Sequence, residues 1–233
     1  MEYSKIDKLG VNPSLLGFGC MRFPKKEDGT IDEVEAERML DHAIESGVTY
    51  IDTAYPYHDG ESEPFVGRVL KKYKREDFYL ATKLPMFKID SLEQAKEIFE
   101  EQIKRLDVDY VDFYLLHALN KDTWKKVIDL NIIPYCEELK KQGRIKNFGF
   151  SFHDDYEVFE EIINYRDWDF CQIQLNYIDT DIQAGMKGYK LTEEKNVPLV
   201  IMEPIKGGAL ASLSDDIEKV FTDYNQNVSI SSW

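Results

Sequence analysis

Asp52, Lys83 and His117 each follow directly on an apolar run, at residues 48–51, 79–82 and 111–116 respectively. Ser151, the trio Gln172, Gln174 and Asn176, and Glu203 stand at or beside the ends of three later runs of the same kind. A carboxylate, an ammonium and an imidazole brought to one place are the parts of a proton-transferring site. Taken singly, none says much, because strand ends meet solvent and any polar residue can cap one. Asp52 and Lys83 are equally well read as a buried structural ion pair, and His117 as a core histidine with its hydrogen bonds met. The order of four titratable types along successive runs is harder to assign to capping alone.

The apolar runs must be strands, and the stretches between them must return the chain. Residues 15–19 form the first run. The pattern Thr30-Ile31-Asp32-Glu33 predicts a capping box that opens a helix with Val34, Met39, Leu40, Ala43 and Ile44 on its core face and a stop at Ser46-Gly47. Ser91-Leu92-Glu93-Gln94 predicts a second box, with Leu92, Ala95, Ile98, Phe99, Ile103 and Leu106 turned inward. Residues 121–142 read as helical but are interrupted by Pro134 and closed by Gly143. Strands follow at 146–150, 170–175 and 198–202, with a helix carrying Val158, Phe159, Ile162 and Ile163 between the first two. Seven strands alternating with helices at a spacing of about 30 residues predict a parallel sheet built from βα units. No GxGxxG follows a strand, which argues against a doubly wound dinucleotide-binding fold. Polar residues after several different strands are instead the habit of a (β/α)8 TIM barrel, whose chemistry sits at the C-terminal face. A single barrel domain over residues 1–233 is expected, with seven strands present.

Composition narrows the partners. The net charge of −15 sets the chain against nucleic acid and anionic membrane surfaces. Cys20, Cys136 and Cys171 are odd in number and widely spaced, which suits a reduced, cytoplasmic protein. The N-terminus has no apolar leader, and no apolar run approaches the ~18 residues of a membrane span. No stretch has metal-ligand spacing, so a metal-dependent hydrolase barrel is disfavoured.

The stretch Ile51-Asp52-Thr53-Ala54-Tyr55-Pro56-Tyr57-His58-Asp59-Gly60-Glu61-Ser62-Glu63 resembles the signature after strand two of the aldo-keto reductase family. Ala81-Thr82-Lys83, Tyr114-Leu115-Leu116-His117, Gly149-Phe150-Ser151 and Gly17-Phe18-Gly19-Cys20-Met21-Arg22 resemble further motifs of that family, so the likeness runs along the whole chain. It implies an NAD(P)H-dependent reduction of a small aldehyde or ketone, with NADPH favoured over NADH. It also implies a catalytic tetrad at Asp52, Tyr57, Lys83 and His117. The D-x-x-x-x-Y spacing selects Tyr57 over Tyr55. The chemistry agrees: a free phenol, with a pKa of about 10, holds its proton tightly, and an ammonium at Lys83 would lower that pKa. Asp52 would hold Lys83 charged, and His117 would orient the carbonyl oxygen.

The same likeness places Ser151 and Gln172 at the nicotinamide carboxamide. It also puts Met202 and Glu203 beside the ring and Lys206-Gly207-Gly208 at the pyrophosphate, where glycines let backbone N–H groups approach. Met202 stands where many members have a stacking aromatic, and Phe152 where many have Asn. Phe150-Ser151-Phe152-His153 and Met202-Glu203-Pro204 resemble a bacterial branch often fused to a C-terminal iron–sulfur segment; no iron–sulfur cluster is expected in this chain. His42 reads as structural, and His58 and His153 as loop residues beside the pocket. The family's eighth strand does not follow Ser229-Ile230-Ser231-Ser232-Trp233, so a chain truncated before barrel closure is expected. The competing functions are a non-catalytic scaffold that keeps the fold, and a Schiff-base aldolase acting through Lys83.

Overall fold

The computed structural model of the chain describes residues 1–230. Seven strands form one sheet in chain order: β1 Gly17–Gly19, β2 Tyr50–Asp52, β3 Tyr79–Leu84, β4 Val111–Leu119, β5 Ile145–Phe152, β6 Phe170–Gln174 and β7 Leu199–Met202. Every neighbouring pair is parallel. Among the described residues no strand joins β7 to β1, so the sheet is that of a (β/α)8 barrel with seven strands in place. The helices are α1 Glu33–Glu45, α2 Ser62–Leu70, α3 Leu92–Leu106, α4 Lys121–Asp129, α5 Ile132–Lys141, α6 Tyr156–Tyr165, α7 Gly185–Glu194 and α8 Asp215–Tyr224. Ser231 to Trp233, the end of the stretch after which the family's eighth strand would come, lie outside the described residues.

Side chains alternate along each strand between the barrel interior and the surrounding helices. Register makes the interior a stack of layers. Tyr50 pairs with Tyr79, Asp52 with Ala81, and Lys83 with Leu115. Below, Tyr50, Ala81, Phe113, Leu115 and Phe170 form an apolar plug, in which Phe113 meets the Phe170 ring at 4.9 Å and the Tyr50 ring at 5.2 Å. One step up the same faces come Asp52, Lys83, His117, Ser151 and Gln172. The plug is the floor on which the polar layer rests. The outward-facing residues, among them Ile51, Leu80, Tyr114, Leu116, Phe148, Phe150 and Ile173, pack under the helices in the larger core.

Several sequence expectations shift. The first helix is capped by Asp32, whose side chain accepts from the amide of Glu35 at 3.4 Å, so the Thr30 capping box does not form. The later start turns Val34 out to solvent, 81% exposed, and leaves Ala36 and Leu40 as the buried contacts. Ser91 does cap α3, accepting from the Gln94 amide at 3.2 Å, and the Gln94 side chain returns the bond to Asp90 rather than to Ser91. The stretch around Pro134 is two helices, with the proline in the first turn of α5, where its missing N–H costs nothing. Gly143 follows α5 with φ +74°, as a helix-ending glycine should. Strand β4 runs on to Leu119 after a register shift beyond Leu116, where Ala118 takes φ 53°. That irregularity falls beside His117, and bulges of this kind re-aim a side chain at the end of a strand.

Candidate active site

Lys83 is 1% exposed, and its ammonium has three hydrogens to place. All three find acceptors: Asp52 Oδ1 in a short contact, the Thr53 carbonyl at 2.8 Å, and the Tyr57 hydroxyl oxygen at 3.3 Å. An ammonium cannot accept, so the Tyr57 oxygen must accept from it. The phenol's own proton is thereby left pointing elsewhere. The ring of Tyr57 stands edge-on to His117, centroids 5.8 Å apart, and the Lys83 ammonium lies 4.9 Å from the centre of the Tyr57 ring. The four residues that the sequence singled out thus meet at one point above the plug. Tyr55, the rejected alternative, points away: its hydroxyl donates to Glu101 at 2.8 Å and its ring lies under Arg105.

The electrostatics differ from expectation in one respect. Burial is the largest influence on Tyr57 and raises its pKa; Lys83 pulls it down, Asp52 adds to the rise, and the net direction is upward. The lysine moderates the phenol but does not make it more acidic than a free one. Burial opposes the charge on Lys83, yet Asp52 and Tyr57 outweigh it, so the pKa rises and Lys83 remains an ammonium. His117 is 9% exposed and is pushed down to about 3, first by burial, then by the charge of Lys83 and by His153. It is a neutral imidazole at ordinary pH. Its Nδ1 is buried without a hydrogen-bond partner.

Two of the residues expected at a nicotinamide, Gln172 and Ser151, also come together. Gln172 donates through Nε2 to Asp52 Oδ2 at 3.2 Å, while its Oε1 is buried with no partner. Ser151 Oγ accepts from the Ala118 amide at 2.8 Å, and its hydroxyl hydrogen is left to donate. One spare buried acceptor and one spare donor on adjacent strands fit a carboxamide, whose NH2 donates and whose carbonyl accepts. Further round the mouth, Met202 and Glu203 are half-buried, and Glu203 takes φ 55°. Gly207 has φ +67°, and a β-carbon there would come within 2.5 Å of the Arg22 guanidinium. The Lys206 ammonium, expected to be free for an anion, is instead paired with Asp179 at 2.8 Å, whose carboxylate also receives Gln174 and Asn176 at 3.0 Å each. Arg22, which also lies 3.8 Å from Glu203, is a second cation at this turn that sequence reasoning did not assign.

A second polar group behind the site was also missed. Thr82, which faces out from β3, donates to Glu63 Oε1 at 2.6 Å. Gln102 on α3 donates to Glu63 at 2.8 Å and to the Lys83 carbonyl at 3.0 Å, and accepts from Tyr114 at 2.8 Å. All four side chains are buried. They tie α2 and α3 to the backbone that carries Lys83. His42 lies exposed on α1, away from this mouth, and His153 is exposed just past β5. Among the described residues no group of three or more His, Cys, Asp or Glu is placed to hold a metal ion, and no helix is long and apolar enough to cross a membrane.

This chain belongs to the aldo/keto reductase family, whose profile it matches over residues 15–230. It is 32% identical over 155 residues to "Probable aldo-keto reductase 1" of Glycine max, covering 63% of this chain and 44% of that protein. It is 24% identical over 203 residues to the "NADH-specific methylglyoxal reductase" of Escherichia coli (strain K12), covering 76% of this chain and 60% of that one. The chain therefore spans less than two thirds of either relative. Among solved structures, the holo form of aldo-keto reductase AKR11C1 from Bacillus halodurans has a TM-score of 0.74 and 30% identity, covering 92% of this chain and 71% of the other.

Proposed function

We propose that this chain is the catalytic barrel, over residues 1–233, of an enzyme that reduces a small aldehyde or ketone to the alcohol with a nicotinamide cofactor. The observation that carries the reading is the arrangement of hydrogens at Lys83. With its three N–H groups committed to Asp52, Thr53 and Tyr57, the lysine leaves the phenol one proton and one direction in which to give it. A carbonyl oxygen seated between Tyr57 and His117 would accept from both. Neutral His117 orients that oxygen without competing as an acid, because burial keeps it unprotonated.

When bound, the cofactor supplies a hydride to the carbonyl carbon. Tyr57 gives its proton to the oxygen, and the phenolate left behind is stabilised by the Lys83 ammonium, whose charge Asp52 holds in place. Gln172 would accept from the cofactor's carboxamide and Ser151 would donate to it. Met202 and Glu203 would flank the ring, and Lys206, Gly207 and Arg22 would receive the anionic end. NADPH is favoured over NADH by the family likeness; one similar protein is named as NADH-specific, so both are to be titrated. Three buried, unpaired cysteines are in keeping with a reducing compartment such as the cytoplasm. A Schiff-base role for Lys83 is poorly supported, because a lysine held as an ammonium has no lone pair to attack a carbonyl.

The test is steady-state oxidation of NADPH and NADH with a reactive aromatic aldehyde, together with quenching of tryptophan fluorescence by each cofactor. Tyr57→Phe should lower kcat by roughly 10²–10⁴-fold, the usual weight of a general acid, while leaving the cofactor's Kd unchanged. Normal turnover in Tyr57→Phe would exclude Tyr57 as the acid. Cofactor quenching without turnover in the unaltered chain would favour a scaffold.

A further inference from the structure

We propose that His58 is a positioning residue for Tyr57, an inference that rests on the reading of Tyr57 as the proton donor: its imidazole clamps the turn carrying the phenol to the Cys20–Arg22 turn after β1.

The turn that bears Tyr57 is conformationally costly. His58 has φ 52° and ψ 47°, Asp59 has φ 57° and ψ 25°, and Gly60 has φ +97°. Glycine accepts such a backbone readily, but two L-residues in succession in the left-handed region do not persist unless something else holds them. His58 Nε2 supplies a hold by accepting from the backbone amide of Phe23 at 3.1 Å. Because Nε2 accepts, the neutral ring must carry its proton on Nδ1, which is buried without a hydrogen-bond partner among the described residues. Burial, followed by the charge of Lys25, lowers the pKa of His58 and keeps it in this accepting form.

Packing adds to the bond. The His58 ring lies 5.6 Å from the Phe23 ring, and Phe23 meets Phe65 of α2 edge-on at 5.0 Å. One residue back from the clamp, the phenol oxygen makes one long hydrogen bond among the described residues, 3.3 Å from the Lys83 ammonium. A small swing of the turn would lose it. Ser62 also reaches the Cys20 carbonyl, at 3.3 Å, but it sits on α2 beyond the left-handed run and does not restrain that run directly.

Three variants separate the clamp from the backbone. His58→Ala removes the acceptor. His58→Gln places an acceptor at about the reach of Nε2, though glutamine does not favour left-handed backbone. His58→Asn tolerates left-handed backbone well but is too short to reach Phe23. The expected result is that His58→Ala lowers kcat about tenfold with KM and cofactor Kd within about twofold, as misplacement of a reacting group does. His58→Gln should restore most of that loss and His58→Asn should not. The opposite order, or an unchanged kcat in His58→Ala, overturns the proposal. A second readout needs no turnover. In protein carrying 13C at the tyrosine Cζ, the Tyr57 signal is assigned by its loss in Tyr57→Phe. It should move in His58→Ala and return in His58→Gln; an unmoved signal in His58→Ala overturns the clamp. If the unaltered chain oxidises no cofactor yet these shifts appear, the functional reading fails and the clamp stands.

Discussion

The two sides of the barrel mouth are held in different ways. On the β2–β4 side Lys83 is buried in a hydrogen-bonded group that runs from the half-buried Asp52 and Tyr57 in front to the buried Thr82, Glu63 and Gln102 behind. On the β6–β7 side the residues of β7 are only half-buried, Lys206 is exposed, and its anchor is one ion pair with Asp179. Positive φ angles mark both sides: His58 and Asp59 on the first, Glu203, Lys206 and Gly207 on the second. On the first side they sit in a clamped turn under a buried network; on the second they sit in a turn whose Lys206 ammonium is open to solvent while its partner Asp179 is buried. On the proposed reading, the side that would move a proton is preorganised, and the side that would receive a cofactor's anionic end is held by a contact that can be exchanged.

The largest effect that tests this contrast is Lys83→Met. The methionine fills the space but offers no hydrogen, so among the described residues Asp52 keeps the bond from Gln172 alone. Breaking a buried pair while leaving one charge behind costs about 3–5 kcal/mol, to be read from urea unfolding, and carbonyl reduction should vanish with it. A loss below about 1 kcal/mol, the range of exposed pairs, would mean that this side is no more committed than the other.

Next comes pH. The pKa of His117 falls to about 3 in the folded chain, against about 6.5 when unfolded. Between those values the unfolded chain binds the extra proton. The stability that neutral His117 contributes is therefore complete above about 6.5 and is lost as pH falls toward 3. His117→Asn does not titrate, so its stability relative to the unaltered chain should improve steadily across that window and stay level above it. A difference that is flat from pH 7 to pH 4 would place His117 in contact with water.

The first side was also the more legible in sequence, for a physical reason. Asp52, Lys83 and His117 each end or follow an apolar strand, so the sequence alone could set them together at the C-terminal face of one barrel. What lay behind them was not read. Helix α2 begins Ser62-Glu63-Pro64 and contains Gly67, weak helical signals on their own. Gly67 is there because a β-carbon would come within 2.7 Å of the Arg105 and Leu106 carbonyls on α3, a close approach that only the packed fold reveals. Gln102 did leave a trace: it shares the spacing of Ala95, Phe99 and Leu106, the buried face of α3, where a polar residue needs partners. The pairing of Lys206 with Asp179 joins residues 27 apart across two loops, and nothing local announces it.

The smallest effect is expected at Lys206, where the contrast can be sharpened. Lys206→Met leaves the buried Asp179 with its bonds from Gln174 and Asn176, so the unfolding midpoint should fall less than in Lys83→Met. Binding should respond too, and in a salt-dependent way. An exposed cation aids an anionic ligand most at low ionic strength and little beyond a Debye length of about 8 Å at 0.15 M. The Kd for NADPH, read by tryptophan quenching, should therefore rise several-fold at low salt, with the difference closing as salt is added. Arg22, the second cation beside Gly207, would carry the remainder on the proposed reading. A Kd unchanged at every salt concentration would remove Lys206 from the anion's site. A variant that unfolds as readily as Lys83→Met would erase the distinction between the two sides, because it would make the Lys206–Asp179 pair a structural element of the barrel rather than an exchangeable one.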